Sequence, residues 1–413
     1  MRSPPVVEVI LVRTRAAGAR CAAAALAFAL LSLGGARPAP AAPGPPAAKA
    51  PVSVGLIYSK TGLLGAYGAE YYDGFLAGLD YATHGTGLAA GHKIVVSEHD
   101  DAGDPAKAVA AAKELIGQGV KILAGSTASG VALQMAPLAK DNNVLFISGA
   151  AAADAITGNN RNTFRSGRQT YQDVLTAGVI AGNSLRGKHV LVFAQDSAFG
   201  QANLAAVRAV LGAQGASVDG LLAPLSANDF TPFAQKIKDA KPGLLFLAWA
   251  GTTGPAVFKS LDDAGVFTVT SAVTGLDQRA SFASYAPMAA RLQFLSHYFG
   301  GATRTKANAA LAESLKKQGK QPEIFDNDGF VAAQMIVHAV EKTDGGDVGK
   351  QIAALEGWKF EGPKGQQEVR ATDHALIQPM FIVKLQGSGS ALEPHLVRVV
   401  PAGAVTPPVR PFK

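Results

Sequence analysis

From Val52 onward, short apolar runs alternate with longer amphipathic stretches along nearly the whole chain. The runs have strand length and the stretches between them have helix length. This pattern predicts parallel sheets covered by helices on both faces. In the first part, strands are expected at Val52–Ile57, His92–Glu98, Lys121–Ala124 and Val144–Ile147. Helices are expected over Gly68–Ala82, from Pro105 to about Ile116, and from near Val131. Asp104 before Pro105 reads as a cap followed by proline in the first turn. A second set follows Phe164 and Arg165. Helices over Thr170–Ser184, Asn203–Gln214, Phe230–Ala240 and Pro255–Ala264 alternate there with strands at His189–Ala194, Val218–Leu222, Leu244–Ala248 and Val269–Val273. After Arg291 the helices Thr305–Gln318, Asp328–Lys342 and Val348–Leu355 outnumber a single strand, Pro379–Leu385. Such a region is expected to complete two existing sheets rather than to form its own. The chain must then cross between lobes more than once. The expected fold class is α/β: two doubly wound parallel-sheet lobes joined by a multi-crossover hinge. Residues 52–167 with 299–360 are assigned to lobe 1, and 168–298 with 361–400 to lobe 2.

The first 51 residues break the alternation. Arg13, Arg15 and Arg20 precede the apolar stretch Cys21–Leu33, and Ala39-Pro40-Ala41 follows. A basic region, a short apolar region and an A-x-A site describe a secretory signal peptide, assigned to residues 1–41. Residues 42–51 read as a Pro/Ala linker. Cys21 is the single cysteine and comes before the apolar run, so lipid attachment is not expected, and cleavage after Ala41 removes it. Disulfides and thiol catalysis then drop out. The net charge of +7 also changes meaning, because the leader holds Arg2, Arg13, Arg15, Arg20 and Arg37 against Glu8. No Lys/Arg run remains that would suit nucleic acid. The expected product is exported to the periplasm.

Candidate chemistry is sparse. Gly182–His189 approaches the phosphate loop GxxxxGK[ST], but His189 stands where a hydroxyl is needed and the segment leads from helix into strand. It reads as a helix–strand turn. Gly62, Gly65 and Gly68 give GxxGxxG, not the dinucleotide fingerprint. The eight histidines show no zinc spacing, no GxSxG elbow occurs, and Asp100, Asp101 and Asp104 do not form a calcium loop. Neither catalytic residues nor a metal or cofactor are expected.

What remains lies at strand ends. Ser126, Thr127 and Ser129 follow one strand and open a helix, a place where backbone N–H groups and the helix dipole favour a small anion. Taken alone, helix capping explains these hydroxyls better than a binding site does. Tyr67, Phe199, Trp249 and Asp277 also follow strands. Singly, each is as readily explained by packing. Together, polar groups on one sheet edge and aromatic walls on the other describe a small-ligand cleft.

The stretches VGLIYSKTGLLGAYG, HDDAGDPAKAVAAAKELI, GSTASGVALQMAPLAKDNNVLFISGAA, DFTPFAQKIKDAKPGLLFLAWAG and DGFVAAQMIVHAV stand in the order and spacing of a known family. From about Val52 to Leu385 the chain resembles the type I periplasmic binding proteins, in the leucine/isoleucine/valine-binding branch that serves ABC importers. The resemblance implies that Ser129 holds a ligand carboxylate. It places Ala150 and Ala152 on a loop whose backbone holds the carboxylate and ammonium, and it makes Tyr67, Phe199 and Trp249 (or its neighbour Ala250) pocket aromatics. Two departures stand out. Ala152 replaces the usual threonine, and Asp277 is only an approximate substitute for the usual glutamate beside the ammonium.

The expected function is therefore capture of a branched-chain amino acid or related small carboxylate by hinge closure. The expected partners are that ligand and a membrane complex of ABC permease and ATPase. A ligand-sensing module for an amide or aromatic acid, reporting to a receptor, is the alternative. An exported hydrolase is a third reading, with no residue in its favour.

Overall fold

A computed structural model describes residues 49–412 of the chain. The expected export signal and most of the expected linker lie outside the described residues. The first sheet is built from β1 (Val52–Tyr58), β2 (Leu88–Ala89), β3 (His92–Asp100), β4 (Ile122–Gly125), β5 (Leu145–Ser148) and β6 (Thr163–Arg165). Helices α1 (Gly65–Ala82), α2 (Pro105–Gly117) and α3 (Ser129–Asp141) connect its longer strands. The strand order is β2-β3-β1-β4-β5-β6, parallel except for the β2–β3 pair. Asp104 caps α2 by accepting from Ala106 N at 2.7 Å, with Pro105 in the first turn.

The second sheet begins after α4 (Thr170–Ala181). It takes in β7 (His189–Gln195), α5 (Ala198–Val210), β8 (Ser217–Ala223), α6 (Thr231–Ala240) and β9 (Leu244–Ala248). It continues through α7 (Gly254–Asp263), α8 (Val266–Val269), β10 (Ala272–Gly275), α9 (Arg279–Tyr285) and β11 (Leu292–Ser296). The chain then returns to the first lobe as α10 (Lys306–Lys316), α11 (Asp326–Thr343), α12 (Val348–Leu355) and strands β12 (Lys359–Gly362), β13 (Gly365–Val369) and β14 (Leu376–Ile377). It closes on the second sheet with β15 (Met380–Gln386) and β16 (Glu393–Val400), giving the order β16-β15-β11-β10-β9-β7-β8. The two mostly parallel α/β sheets are those of the expected fold class.

Three segments cross between lobes: one after Arg165, one after Ser296 and one after Ile377. Several expectations shift accordingly. The strand at Val269–Val273 lies later, at β10, because Val266–Val269 forms a helical turn. The helix expected from Asn203 starts at Ala198, so Phe199 sits in its first turn. Strands β6, β11 and β16 were not legible as separate elements. β12–β14 form a small antiparallel sheet where none was expected. Phe360, Val369 and Leu376 from that sheet join the core of Val54, Leu56 and Phe75. Residues 361–377 therefore pack with the first lobe, and the third crossover lies near Gln378 rather than Glu361.

Both sheets have a switch point. β1 lies between β3 and β4, and β7 between β8 and β9. Successive connections leave in opposite directions at such points and open a crevice at the strands' carboxyl ends. Tyr67 follows β1 and Ser129 follows β4. Phe199 follows β7 and Trp249 follows β9.

Candidate functional site

A cavity of about 410 Å³ lies where the two crevices face each other. Its wall includes all seven residues singled out from the sequence: Tyr67, Ser129, Ala150, Ala152, Phe199, Trp249 and Asp277. It also includes Arg168, Asp173, Tyr285 and Phe325, which the sequence reading missed.

The first-lobe wall is polar. Ser129 is the first residue of α3, which carries no side-chain cap. The three hydroxyls before and within it do other work. Ser126 Oγ donates to Ala128 O at 2.8 Å, Thr127 Oγ1 accepts from Ser59 N at 3.3 Å, and Ser129 Oγ accepts from Ala153 N at 3.2 Å. The capping explanation therefore fails, and the first-turn N–H groups at Ser129 and Gly130 border the cavity uncapped. The loop carrying Ala150 and Ala152 is braced from behind by fully buried Arg165. This side chain donates to Ala153 O at 2.9 Å, to Thr157 Oγ1 at 3.0 Å and to Arg168 O at 3.0 Å. Burial pushes its guanidinium down to about 10, so it stays charged at neutral pH.

The second-lobe wall is aromatic. Trp249 packs on Phe193 and edge-on to Phe230, each with ring centroids 5.2 Å apart, and its Nε1 donates to Thr253 Oγ1 at 2.9 Å. Phe199 faces the guanidinium of Arg168 at 5.9 Å, and Phe325 faces it at 5.6 Å. Such stacking holds a flat cation in place.

Asp277 sits at the seam. Its Oδ1 accepts from the Tyr67 hydroxyl at 2.8 Å and from Gln278 N at 2.8 Å, and its Oδ2 accepts from Tyr285 at 3.3 Å. Tyr67 also accepts from Gly251 N at 3.1 Å. Burial first, then the Asp277 charge, holds both phenols well above their usual range, so they remain donors. Further bonds span the seam: Thr252 N to Leu63 O at 3.3 Å, and Gln278 to Glu70. The lobes are closed.

Residues 51–390 match the periplasmic binding protein family. The chain belongs to that family. This periplasmic binding protein is 26% identical over 312 residues to the Leu/Ile/Val-binding protein BraC3 of Rhizobium johnstonii, covering 75% of this chain and 84% of that one. Its fold superposes on an ABC-type branched-chain amino acid transporter protein from Rhodopseudomonas palustris with a TM-score of 0.74 and 32% identity, covering 88% of this chain and 100% of that one. A solute-binding protein of an ABC transporter from Rhodopseudomonas palustris BisB5, in complex with 3,4-dihydroxybenzoic acid, matches with a TM-score of 0.75 and 26% identity over 85% of this chain and 97% of that one. The periplasmic binding protein is thus of the ABC-transporter solute-binding kind, a binder rather than an enzyme. Among the described residues, no helix is long and apolar enough to cross a membrane and no acidic, His or Cys group could hold a metal ion.

One pH effect follows from the seam. Glu323 accepts from Arg279 N at 3.2 Å, and burial pushes its carboxyl up to about 7. A carboxyl raised in the folded state binds its proton more tightly there than when unfolded. Its stabilisation is complete below the unfolded value of about 4.5 and is lost as pH rises through about 7. Glu323→Gln should therefore stabilise the protein at pH 7.5, by on the order of 1–2 kcal/mol, and leave it unchanged at pH 4.5. Urea denaturation at the two pH values reads this out. An equal shift at both would remove Glu323 as the titrating group.

Proposed function

We propose that this protein captures a small carboxylate bearing an apolar or aromatic body, in the cleft between its lobes, and delivers it to an ABC permease and ATPase complex. The observation that carries the reading is the asymmetric cavity wall, with the uncapped start of α3 at Ser129 on one side and Phe199 and Trp249 on the other. Branched-chain amino acids and hydroxybenzoates, the solutes named for the relatives, share a carboxylate and an apolar body. The ligand carboxylate docks at Ser129 and the backbone of Ala150 and Ala152. Tyr67, Phe199 and Trp249 close over the body, and Asp277 borders the far side. Two or three charge-assisted hydrogen bonds of about 1.5–3 kcal/mol each, with burial of the body, amount to roughly −8 kcal/mol, near micromolar affinity. Closure is a hinge motion that the ligand favours by binding the closed form better. The export signal expected at residues 1–41 accords with this role in the periplasm.

A thermal-shift panel of leucine, isoleucine, valine, their amides, benzoate and hydroxybenzoates tests the reading. Stabilisation should follow RT ln(1 + [L]/Kd) for carboxylates and be absent for amides. A panel in which no carboxylate raises Tm overturns it. Ser129→Ala should weaken carboxylate binding by about tenfold or more and, by leaving the buried Ala153 N–H without its acceptor, should also cost about 1 kcal/mol of unliganded stability. Calorimetry that returns the wild-type Kd removes Ser129 from the site.

A further inference from the structure

Resting on the carboxylate reading above, we propose that Arg168 determines which carboxylates are accepted: it binds the carboxylate itself and occupies the acceptors an ammonium would need, so the cleft takes amine-free acids over α-amino acids.

The argument is a count of donors and acceptors on the cavity wall. Arg168 stands on the first crossover, three residues after β6, and its side chain is only 11% exposed. Its Nη1 donates to the carbonyl oxygen of Ala150 at 3.1 Å. Its Nε donates to Asp173 Oδ2 at 3.3 Å. Two further acceptors that border the cavity, on Asp277 and Gln195, are engaged as well. Asp277 takes two phenols and a backbone N–H, and Gln195 Oε1 accepts from Ala250 N at 3.2 Å. Donors are in the opposite condition. Among the described residues no acceptor is found for the Ser129 hydroxyl or for Arg168 Nη2, and the first turn of α3 is uncapped. A wall with free donors at Ser129 and Arg168, beside the engaged acceptors Ala150 O, Asp277 and Gln195, suits an anion.

An ammonium entering this cavity meets a guanidinium already seated on Ala150 O and Asp173. It would be buried with like charge nearby, beside carbonyl and carboxylate oxygens that the guanidinium already engages, a costly arrangement. A carboxylate instead finds the planar fork of Arg168, held in orientation by Phe199 and Phe325, together with Ser129. The guanidinium thus both attracts the accepted group and repels the rejected one.

Matched pairs decide it: leucine against 4-methylpentanoate and phenylalanine against 3-phenylpropanoate, by calorimetry on the wild type, Arg168→Gln and Arg168→Lys. The amine-free member of each pair should bind about 10- to 100-fold more tightly. Arg168→Gln should lose that affinity by a similar factor and narrow the gap within each pair, and Arg168→Lys should recover part of it. Amino acids that bind as well as or better than their amine-free partners overturn the inference and leave the carboxylate reading standing. So does an Arg168→Gln variant with wild-type Kd for 3-phenylpropanoate. If neither member of either pair binds at millimolar concentration, both readings fall.

Discussion

Replacing Gly329 by alanine should cost about 3 kcal/mol or more of stability. α1 and α11 pack backbone against backbone. A Cβ built on Gly329 would stand 1.9 Å from Tyr71 O and 2.6 Å from Phe75 N. The approach is reciprocal, since a Cβ on Gly74 would stand 1.9 Å from Asp326 O, and one on Gly78 would stand 2.4 Å from Phe330 O. Every obstructing atom is main chain in a helix, so no side chain can rotate away. The two helices must separate instead. Separation strips contacts from Phe75, Val331 and Met335, all buried in the core beneath them. Gly117→Ala is the control, because nothing lies within 4 Å of its added Cβ, and it should change stability by less than about 1 kcal/mol. Urea denaturation of the two variants reads the contrast. Equal midpoints would show that the helix pair tolerates a wider spacing.

Tyr67→Phe should open the protein and weaken ligand binding by roughly 30-fold or more. The hydroxyl is a two-way latch, donating to Asp277 and accepting from Gly251 N across the seam. Phenylalanine keeps the ring contact with Phe325, whose centroid lies 4.7 Å away. It leaves the Gly251 N–H without a partner and Asp277 Oδ1 with only Gln278 N when the lobes shut. An unsatisfied buried group costs about 1–3 kcal/mol, more when charged. In the open form water satisfies both, so the loss falls on the closed state alone. A shift of about 2 kcal/mol or more toward the open form lowers apparent affinity by the same factor. Small-angle scattering should show a larger unliganded radius of gyration, and calorimetry a raised Kd. An unchanged radius and Kd would demote the bond to a passive contact.

Much of the first sheet was readable because its signals are local. Apolar runs of strand length, the Asp104-Pro105 cap and the glycine-bounded turns depend on near neighbours in sequence. Elements that failed to read are those whose character comes from distant partners. β11 is a short run, LQFLS, that becomes a strand by pairing with β10 and β15. β16 exposes Leu396, Val397 and Val399 at a sheet edge, so its burial pattern does not alternate as a half-buried strand would. The small sheet at β12–β14 gains its stability from the α1–α11 side of the first lobe, which nothing in its own sequence announces.

The site divides the same way. Position at the end of a strand is a sequence property, and it brought Tyr67, Ser129, Phe199, Trp249 and Asp277 to one cavity, where the family resemblance also placed Ala150 and Ala152. What each does there is not. Asp277 reads as a free carboxylate beside a ligand amine, yet in the fold it is tied by Tyr67, Gln278 and Tyr285, because closure delivers a phenol from the other lobe. Arg168 carries no pattern at all: an arginine after a strand is ordinary until a crossover turns it toward Ala150 O and stacks it between Phe199 and Phe325.

By itself the sequence determined the class of fold, the switch-point edges and the roster of residues that could reach a ligand, because hydrophobic periodicity and helix-start chemistry act over a few residues. Only the tertiary structure decided which donors stay free, which acceptors are already taken and where the lobes lock. Those outcomes depend on groups some 180 to 210 positions apart along the chain being brought within hydrogen-bond reach, as Tyr67 is with Gly251 and Asp277.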